Sequence, residues 1–267
     1  MDKEYEVKNE LGVHSLSLNN TKRNVFAKSI LEDVKEVVCG YGRTFIIKND
    51  GSVYSCGYNG YGELGLGDDT DRNIFTKVDI DNVKELICGR YHTIIIKNDN
   101  TIYSCGKLYQ LGLGDTTDRN IFTKVDIDNV KDIVCGYNYI FIIKNDGTVW
   151  CYGRNYNGQL GLGDNNNRNV FTKVDIDNVK DIVCGNDYTF IIKNDGTVYS
   201  TGNNKYGQLG LGDDIDRNTF TKVDIDNVKE IVCGYNYTFI IKNDNTVWSI
   251  IYNDYRNNTF TKVYIDE

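Results

Sequence analysis

The sequence predicts an all-β protein: a β-propeller of about five four-stranded blades in a closed or incomplete ring, with a spare outer strand at the N-terminus. Three observations predict it. A motif of the form Val-Lys-Asp/Glu-aliphatic-Ile/Val-Cys-Gly begins at Val34, Val83, Val130, Val179 and Val228, in steps of 49, 47, 49 and 49 residues. Each copy then reads as short strands divided by turn residues. A four-stranded unit recurring every ~50 residues has the size of a propeller blade.

The strands follow in order within a copy. The Val-Cys run is the first. Phe45-Ile-Ile47 and Ser52-Val-Tyr-Ser55 flank Lys48-Asn-Asp-Gly51, a hairpin signal because Asn, Asp and Gly accept positive φ. Asn100 and Asn245 replace that glycine in copies two and five, and Asn is the next most tolerant residue there. Ile94-Ile-Ile96 has no polar alternation, as expected of a strand covered on both faces. Thr76-Lys-Val-Asp-Ile-Asp81 does alternate and reads as an outer strand whose solvated face carries charges that discourage edge pairing. Between these lies a Gly-rich loop, shortened by two residues in copy two and missing its Leu-Gly-Leu-Gly element in copy five. Arg23-Asn-Val-Phe26 matches the start of an outer strand without inner partners. The organisation expected is a single propeller domain over 1–267, with a partial repeat at 1–33 and repeats at 34–82, 83–129, 130–178, 179–227 and 228–267.

Composition narrows the function classes. The formal net charge of −8 argues against nucleic acid, whose phosphates repel an acidic chain. The N-terminal Met1-Asp-Lys-Glu-Tyr-Glu lacks the apolar core of a signal peptide. No apolar stretch approaches the ~20 residues that cross a bilayer. The expectation is an intracellular protein, cytoplasmic or nuclear. Proline is absent and Ala27 is the only alanine, so the 26 glycines stand out as positions the backbone requires.

Gly158-Gln-Leu-Gly-Leu-Gly163, Gly207-Gln-Leu-Gly-Leu-Gly212 and the variant Gly60-Tyr-Gly-Glu-Leu-Gly-Leu-Gly67, with Gly89-Arg-Tyr-His-Thr93 and Asn-Asp-Gly-Thr-Val-Tyr, carry a family resemblance. Together they resemble the regulator-of-chromosome-condensation (alpha-tubulin-suppressor-like) repeat family, clearly over 34–267 and weakly over 11–33. The resemblance implies a propeller that binds other proteins. It also implies an alternative function, since the founding member is a guanine-nucleotide exchange factor for a small nuclear GTPase that docks on chromatin. The family usually closes seven blades, and this chain has about five. An incomplete ring would open the way to dimerisation.

Catalytic and metal chemistry find little support. Cys39, Cys88, Cys135, Cys184 and Cys233 share one repeat position, which spreads them around a ring rather than pairing them, and no Cys-x-x-Cys spacing marks zinc. The Gly67-Asp-Asp-Thr-Asp-Arg72 loop and its copies read as Asx turns; the third copy, Asp164-Asn-Asn-Asn, is poor in the oxygens Ca²⁺ needs. The Leu-Gly-Leu-Gly glycines read as a tight turn, since no Gly-Lys-Ser/Thr follows. His14 and His92 are the only histidines, and His92 alternates with Arg43, Tyr139, Tyr188 and Tyr237 at its position, which suits packing rather than a general base. No enzyme, cofactor or metal is expected.

The candidate site is the segment after each Cys-Gly: Tyr41-Gly-Arg, Arg90-Tyr-His, Tyr137-Asn-Tyr, Asn186-Asp-Tyr and Tyr235-Asn-Tyr. If the Val-Cys strand is innermost, these segments ring one face, with the Tyr, Arg and Asn composition of a binding hot spot. The residues expected on a partner-binding face are Tyr41, Arg43, Arg90, Tyr91, Tyr137, Asn138, Asn186, Asp187, Tyr235 and Asn236. The function expected is a protein-interaction scaffold, its partner a protein of unknown identity or a small GTPase.

Overall fold

The computed structural model describes residues 32–107, 111–250 and 258–264. Every regular element among them is a β-strand, twenty in all, arranged as five antiparallel four-stranded sheets. None of the described residues forms a helix long and apolar enough to cross a membrane. The chain divides into two compact units, Met1–Asp128 and Asn129–Glu267.

The first unit holds two blades. Blade 1 runs β1 (Val34–Gly40), β2 (Arg43–Lys48), β3 (Val53–Gly57) and β4 (Arg72–Lys77); blade 2 runs β5 (Val83–Cys88), β6 (His92–Lys97), β7 (Ile102–Gly106) and β8 (Arg119–Val125). The second unit holds three. Blade 3 is β9 (Val130–Cys135), β10 (Tyr139–Lys144), β11 (Val149–Gly153) and β12 (Arg168–Lys173). Blade 4 is β13 (Val179–Cys184), β14 (Tyr188–Lys193), β15 (Val198–Gly202) and β16 (Arg217–Lys222). Blade 5 is β17 (Val228–Cys233), β18 (Thr238–Lys242), β19 (Val247–Ser249) and β20 (Thr261–Lys262). In each sheet sequential strands are neighbours, as a meander of hairpins requires.

The central hairpins form as their sequence dictates. Gly51 has φ +78° and Asn100 and Asn245 have φ +62°, the left-handed conformation the turn needs. Asp50 Oδ1 accepts from both the Ser52 amide (2.9 Å) and its hydroxyl (2.7 Å), and the same pair recurs at Asp99 and Thr101. The outer strand is displaced from its expected span. It covers Arg72–Lys77, about four residues earlier than Thr76–Asp81. Val78 still donates to Val53 O, but the Ile80 amide then turns back onto Val78 O (2.9 Å each) and ends the strand. The outer strand suggested by Arg23–Phe26 lies outside the described residues.

Within each unit, cores form between consecutive blades. In unit 1, Phe45, Ile47, Val53 and Leu64 of copy one pack on Val83, Leu86 and Ile95 of copy two. In unit 2, Phe141, Ile143, Val149 and Leu160 pack on Val179, Ile182 and Ile191, and Phe190, Ile192, Val198 and Leu209 on Val228, Ile231 and Ile240. Blades that cannot bury both faces alone are thereby stabilised by their neighbours.

Candidate functional site

The Cys-Gly segments are tight turns from the first strand of a blade to the second. In copies one to four the third residue opens the second strand and is buried, whereas Tyr237 of copy five precedes its strand and is exposed. Tyr139 and Tyr188 are fully buried. The Tyr139 hydroxyl reaches the next copy, donating to Gly185 O (3.2 Å) and Tyr188 O (2.5 Å). Tyr188 repeats this toward Gly234 O (3.0 Å) and Tyr237 O (2.7 Å). Burial holds both phenols well above their usual pKa. In unit 1 the same place belongs to Arg43, whose guanidinium donates to Gly89 O (2.7 Å), Arg90 O (2.8 Å) and His92 O (2.5 Å). The Cys-Gly glycine makes room for the ring: a Cβ on Gly185 would lie 2.3 Å from Tyr188.

A second seam lies at the Leu-Gly-Leu-Gly loop. Asn59, Asn155 and Asn204 are buried and brace it, each side-chain oxygen accepting the amide of the first loop leucine at 2.8–2.9 Å. Gly65 has φ +69°, and a Cβ there would lie 2.3 Å from the Phe122 ring of the next copy. The tight turn expected here is therefore also a seat for the following Arg-Asn-x-Phe strand. The Asx loops hold no vacant carboxylate cage: Asp68, Asp164 and Asp213 are each taken by the arginine four residues later, at 2.5–2.6 Å. No group of three or more metal-ligating side chains occurs among the described residues. All eight cysteines are free, and burial pushes the Cys56 thiol up to about 11.

Of the ten residues expected on a partner-binding face, two are corrected. Arg43 is 2% and Asn138 8% exposed: Arg43 spends its donors on the next copy's carbonyls, and Asn138 lies immediately before the fully buried Tyr139 that opens β10. Tyr41 and Tyr235 are 52% and 64% exposed. Arg90, Tyr91, Tyr137, Asn186, Asp187 and Asn236 are half-buried. Asn186 Nδ2 (2.9 Å) and Gln159 Nε2 (3.1 Å) both donate to the Asp187 carboxylate, whose pKa burial raises.

Unit 1 also joins residues that the motif comparison passed over. Tyr58 and Tyr61 of the glycine loop extend Tyr41 and Tyr91 into a chain of edge-to-face rings, with centroids 6.4 Å (58–61), 5.4 Å (61–91) and 6.1 Å (41–91) apart. Arg90 lies over Tyr41 and Tyr91 at 5.0 and 4.6 Å, and Lys107 over Tyr61 and Tyr91 at 4.2 and 5.2 Å. The available signal was that copy one alone reads Tyr58-Asn-Gly-Tyr61 where copy three reads Arg154-Asn-Tyr-Asn157. Beneath the rings sits buried Glu63 in place of Gln159 and Gln208, its Oε2 accepting from Tyr61 N (2.9 Å) and its pKa raised by burial.

Blades of this size, stapled copy to copy and presenting tyrosine-bearing turns, define a β-propeller-type repeat protein. The model of the regulator of chromosome condensation (RCC1) repeat matches residues 50–96, 146–192 and 195–241, and a second model of that repeat matches 34–63, 130–159 and 179–208. These cover more than half of the chain, which belongs to this family. Among solved structures it is similar to human WBSCR16, at 22% identity and a TM-score of 0.70 over 87% of this chain and 64% of that one. It is also similar to yeast RCC1 (Prp20) solved bound to Kap60, at 18% identity and 0.73 over 86% and 63%. Prp20p from Saccharomyces cerevisiae, described with its binding properties to Gsp1p and histones, gives 18% and 0.71 over 86% and 65%. At these identities the likeness is one of fold. The chain spans just under two thirds of the length of these proteins. No curated protein sequence matches it.

Proposed function

We propose that this chain is an intracellular protein-interaction scaffold that engages a protein partner through the turns after its Cys-Gly motifs. The observation that carries the reading is the exposure of Tyr41 and Tyr235 at equivalent turns, 52% and 64%, where tyrosine has no core to fill. Tyr supplies a large amphipathic contact at low entropic cost, which suits a binding surface. Yeast RCC1 (Prp20) was solved with a protein partner, Kap60, which supports partner binding in this fold. Affinity capture followed by mass spectrometry tests the reading, comparing the wild type with the combined Tyr41→Ala, Tyr137→Ala and Tyr235→Ala variant. Partners retained by the wild type should be lost by the variant at unchanged thermal stability; equal capture would refute it.

A second reading, regulation of a small GTPase, is favoured by the family and by the study of Prp20p binding to Gsp1p. It predicts accelerated release of a fluorescent guanine nucleotide from at least one small GTPase; release at the intrinsic rate from all of them would discard it.

A further inference from the structure

The geometry points to a docking site for a short acidic protein segment on unit 1, formed by Tyr41, Tyr58, Tyr61, Tyr91, Arg90 and Lys107. The inference rests on the reading of the turns as a partner-binding surface and specifies the partner's charge.

Four linked rings form a continuous aromatic surface, and the two cations are held against ring faces, Lys107 at 4.2 Å from the Tyr61 centroid and Arg90 at 4.6 Å from that of Tyr91. Among the described residues Lys107 makes no ion pair, so its charge is met by π-faces rather than by a carboxylate. Cation–π packing restrains long side chains that would otherwise lose rotamer freedom on binding, so the cations are placed before a partner arrives. A basic partner would have to displace the cations already on these rings. An acidic one gains them as counter-charges, with tyrosine hydroxyls as further donors.

The acidic groups nearby are compromised or engaged. Glu63 is buried with its Oε2 accepting from Tyr61 N at 2.9 Å, and Asp71 Oδ1 accepts from Asn59 N at 2.8 Å. The corresponding turn in unit 2 has the opposite character, with Asp187 at the position of Tyr91, held by Asn186 and Gln159. The sign of charge therefore belongs to copies one and two and not to the repeat as such. The chain as a whole carries −8. That charge repels an extended polyanion, while a segment of a few residues meets only the local cations. A short acidic protein segment with aromatic or aliphatic residues between its carboxylates fits this surface better than nucleic acid does.

The test is fluorescence anisotropy with three labelled probes: a Glu/Asp-rich dodecapeptide containing phenylalanines, its Lys-substituted counterpart, and a single-stranded DNA dodecamer. The acidic peptide should bind, and added salt should weaken it. Lys107→Glu should reduce its affinity about tenfold or more, while Lys107→Arg keeps it. Lys107 is half-buried at the surface, and an unchanged melting temperature will show that the variant is folded. Absence of binding by the acidic peptide, indifference to Lys107→Glu, or equal binding of the DNA would overturn the inference. The two readings fail separately. If the three-tyrosine variant loses captured partners while Lys107→Glu keeps them and keeps the peptide, the interaction surface stands and the acidic site falls. If Lys107→Glu loses the peptide while the three-tyrosine variant captures normally, the reverse holds.

Discussion

The seam inside unit 1 and the seams inside unit 2 perform one task with different chemistry. Unit 2 bridges its copies with the neutral hydroxyls of Tyr139 and Tyr188, and neutral Gln159 and Gln208 stand nearby in the loops. Unit 1 bridges its copies with the Arg43 cation, and there the glutamine position is Glu63, which feels the Arg43 charge. The two substitutions go together: a charge buried at the staple is accompanied by an opposite charge at the loop. What the seam requires is a donor that reaches the glycine carbonyl and the third-residue carbonyl of the next copy. Tyrosine meets the requirement with less desolvation, and arginine reaches further acceptors, among them Arg90 O and the Thr93 hydroxyl.

The largest test of this comparison is Arg43→Ala. It strips charge-assisted bonds from three carbonyls and should cost about 4 kcal/mol, read as a fall in the urea midpoint. Exchanging both partners, Arg43→Tyr with Glu63→Gln, should recover much of that loss; failure of the double variant to exceed Arg43→Tyr alone would break the link between the two positions. Next in size is Tyr139→Phe, which leaves the ring and removes the hydroxyl from two carbonyls, at about 1–2 kcal/mol. The control is Tyr237→Phe: Tyr237 holds the same repeat position but is 53% exposed, so its loss should stay within ~0.5 kcal/mol. Equal effects at 139 and 237 would mean that the staple contributes nothing.

Smaller than the effects at 43 and 139 is that of Glu63→Gln. Burial raises the Glu63 pKa in the folded state, so the fold favours the protonated acid. Wild-type stability should fall as pH rises from the unfolded carboxyl pKa, ~4.3, to the raised folded value, and the penalty is complete above that window. The glutamine variant should therefore be more stable than wild type by less than about 1 kcal/mol above the window and lose that advantage below it. Melting temperatures across pH check the sign; an advantage confined to low pH would contradict it.

Much of the fold was legible because a strand's signals are local. The Asn-Asp-Gly turns and the apolar Ile-Ile runs locate the hairpins without reference to any other copy, and the spacing of 47 or 49 residues between copies then sets the blades. The outer strand was read late because the alternation of Val78 and Ile80 continues past Lys77, where the backbone has already turned. The site was legible only in part. Exposed Tyr41 and Tyr235 follow from the motif, but Arg43 reads as a surface residue until the Gly89, Arg90 and His92 carbonyls of the next copy are known as its acceptors. Tyr58, Tyr61 and Lys107 come from loops and strand ends that meet Tyr91 only through the packing of blade 2 on blade 1.

The seat that Gly65 offers Phe122, repeated by Gly161 for Phe220 and Gly210 for Phe260, has a consequence for how such a chain can grow. Copies one, three and four each carry the socket for their successor, and copies two, four and five the plug for their predecessor. A duplicated gene segment one whole copy long, wherever it is cut, inserts a piece whose two ends already fit. Such a protein can gain or lose whole copies in a single genetic event, whereas an insertion of half a copy would leave a plug without its socket.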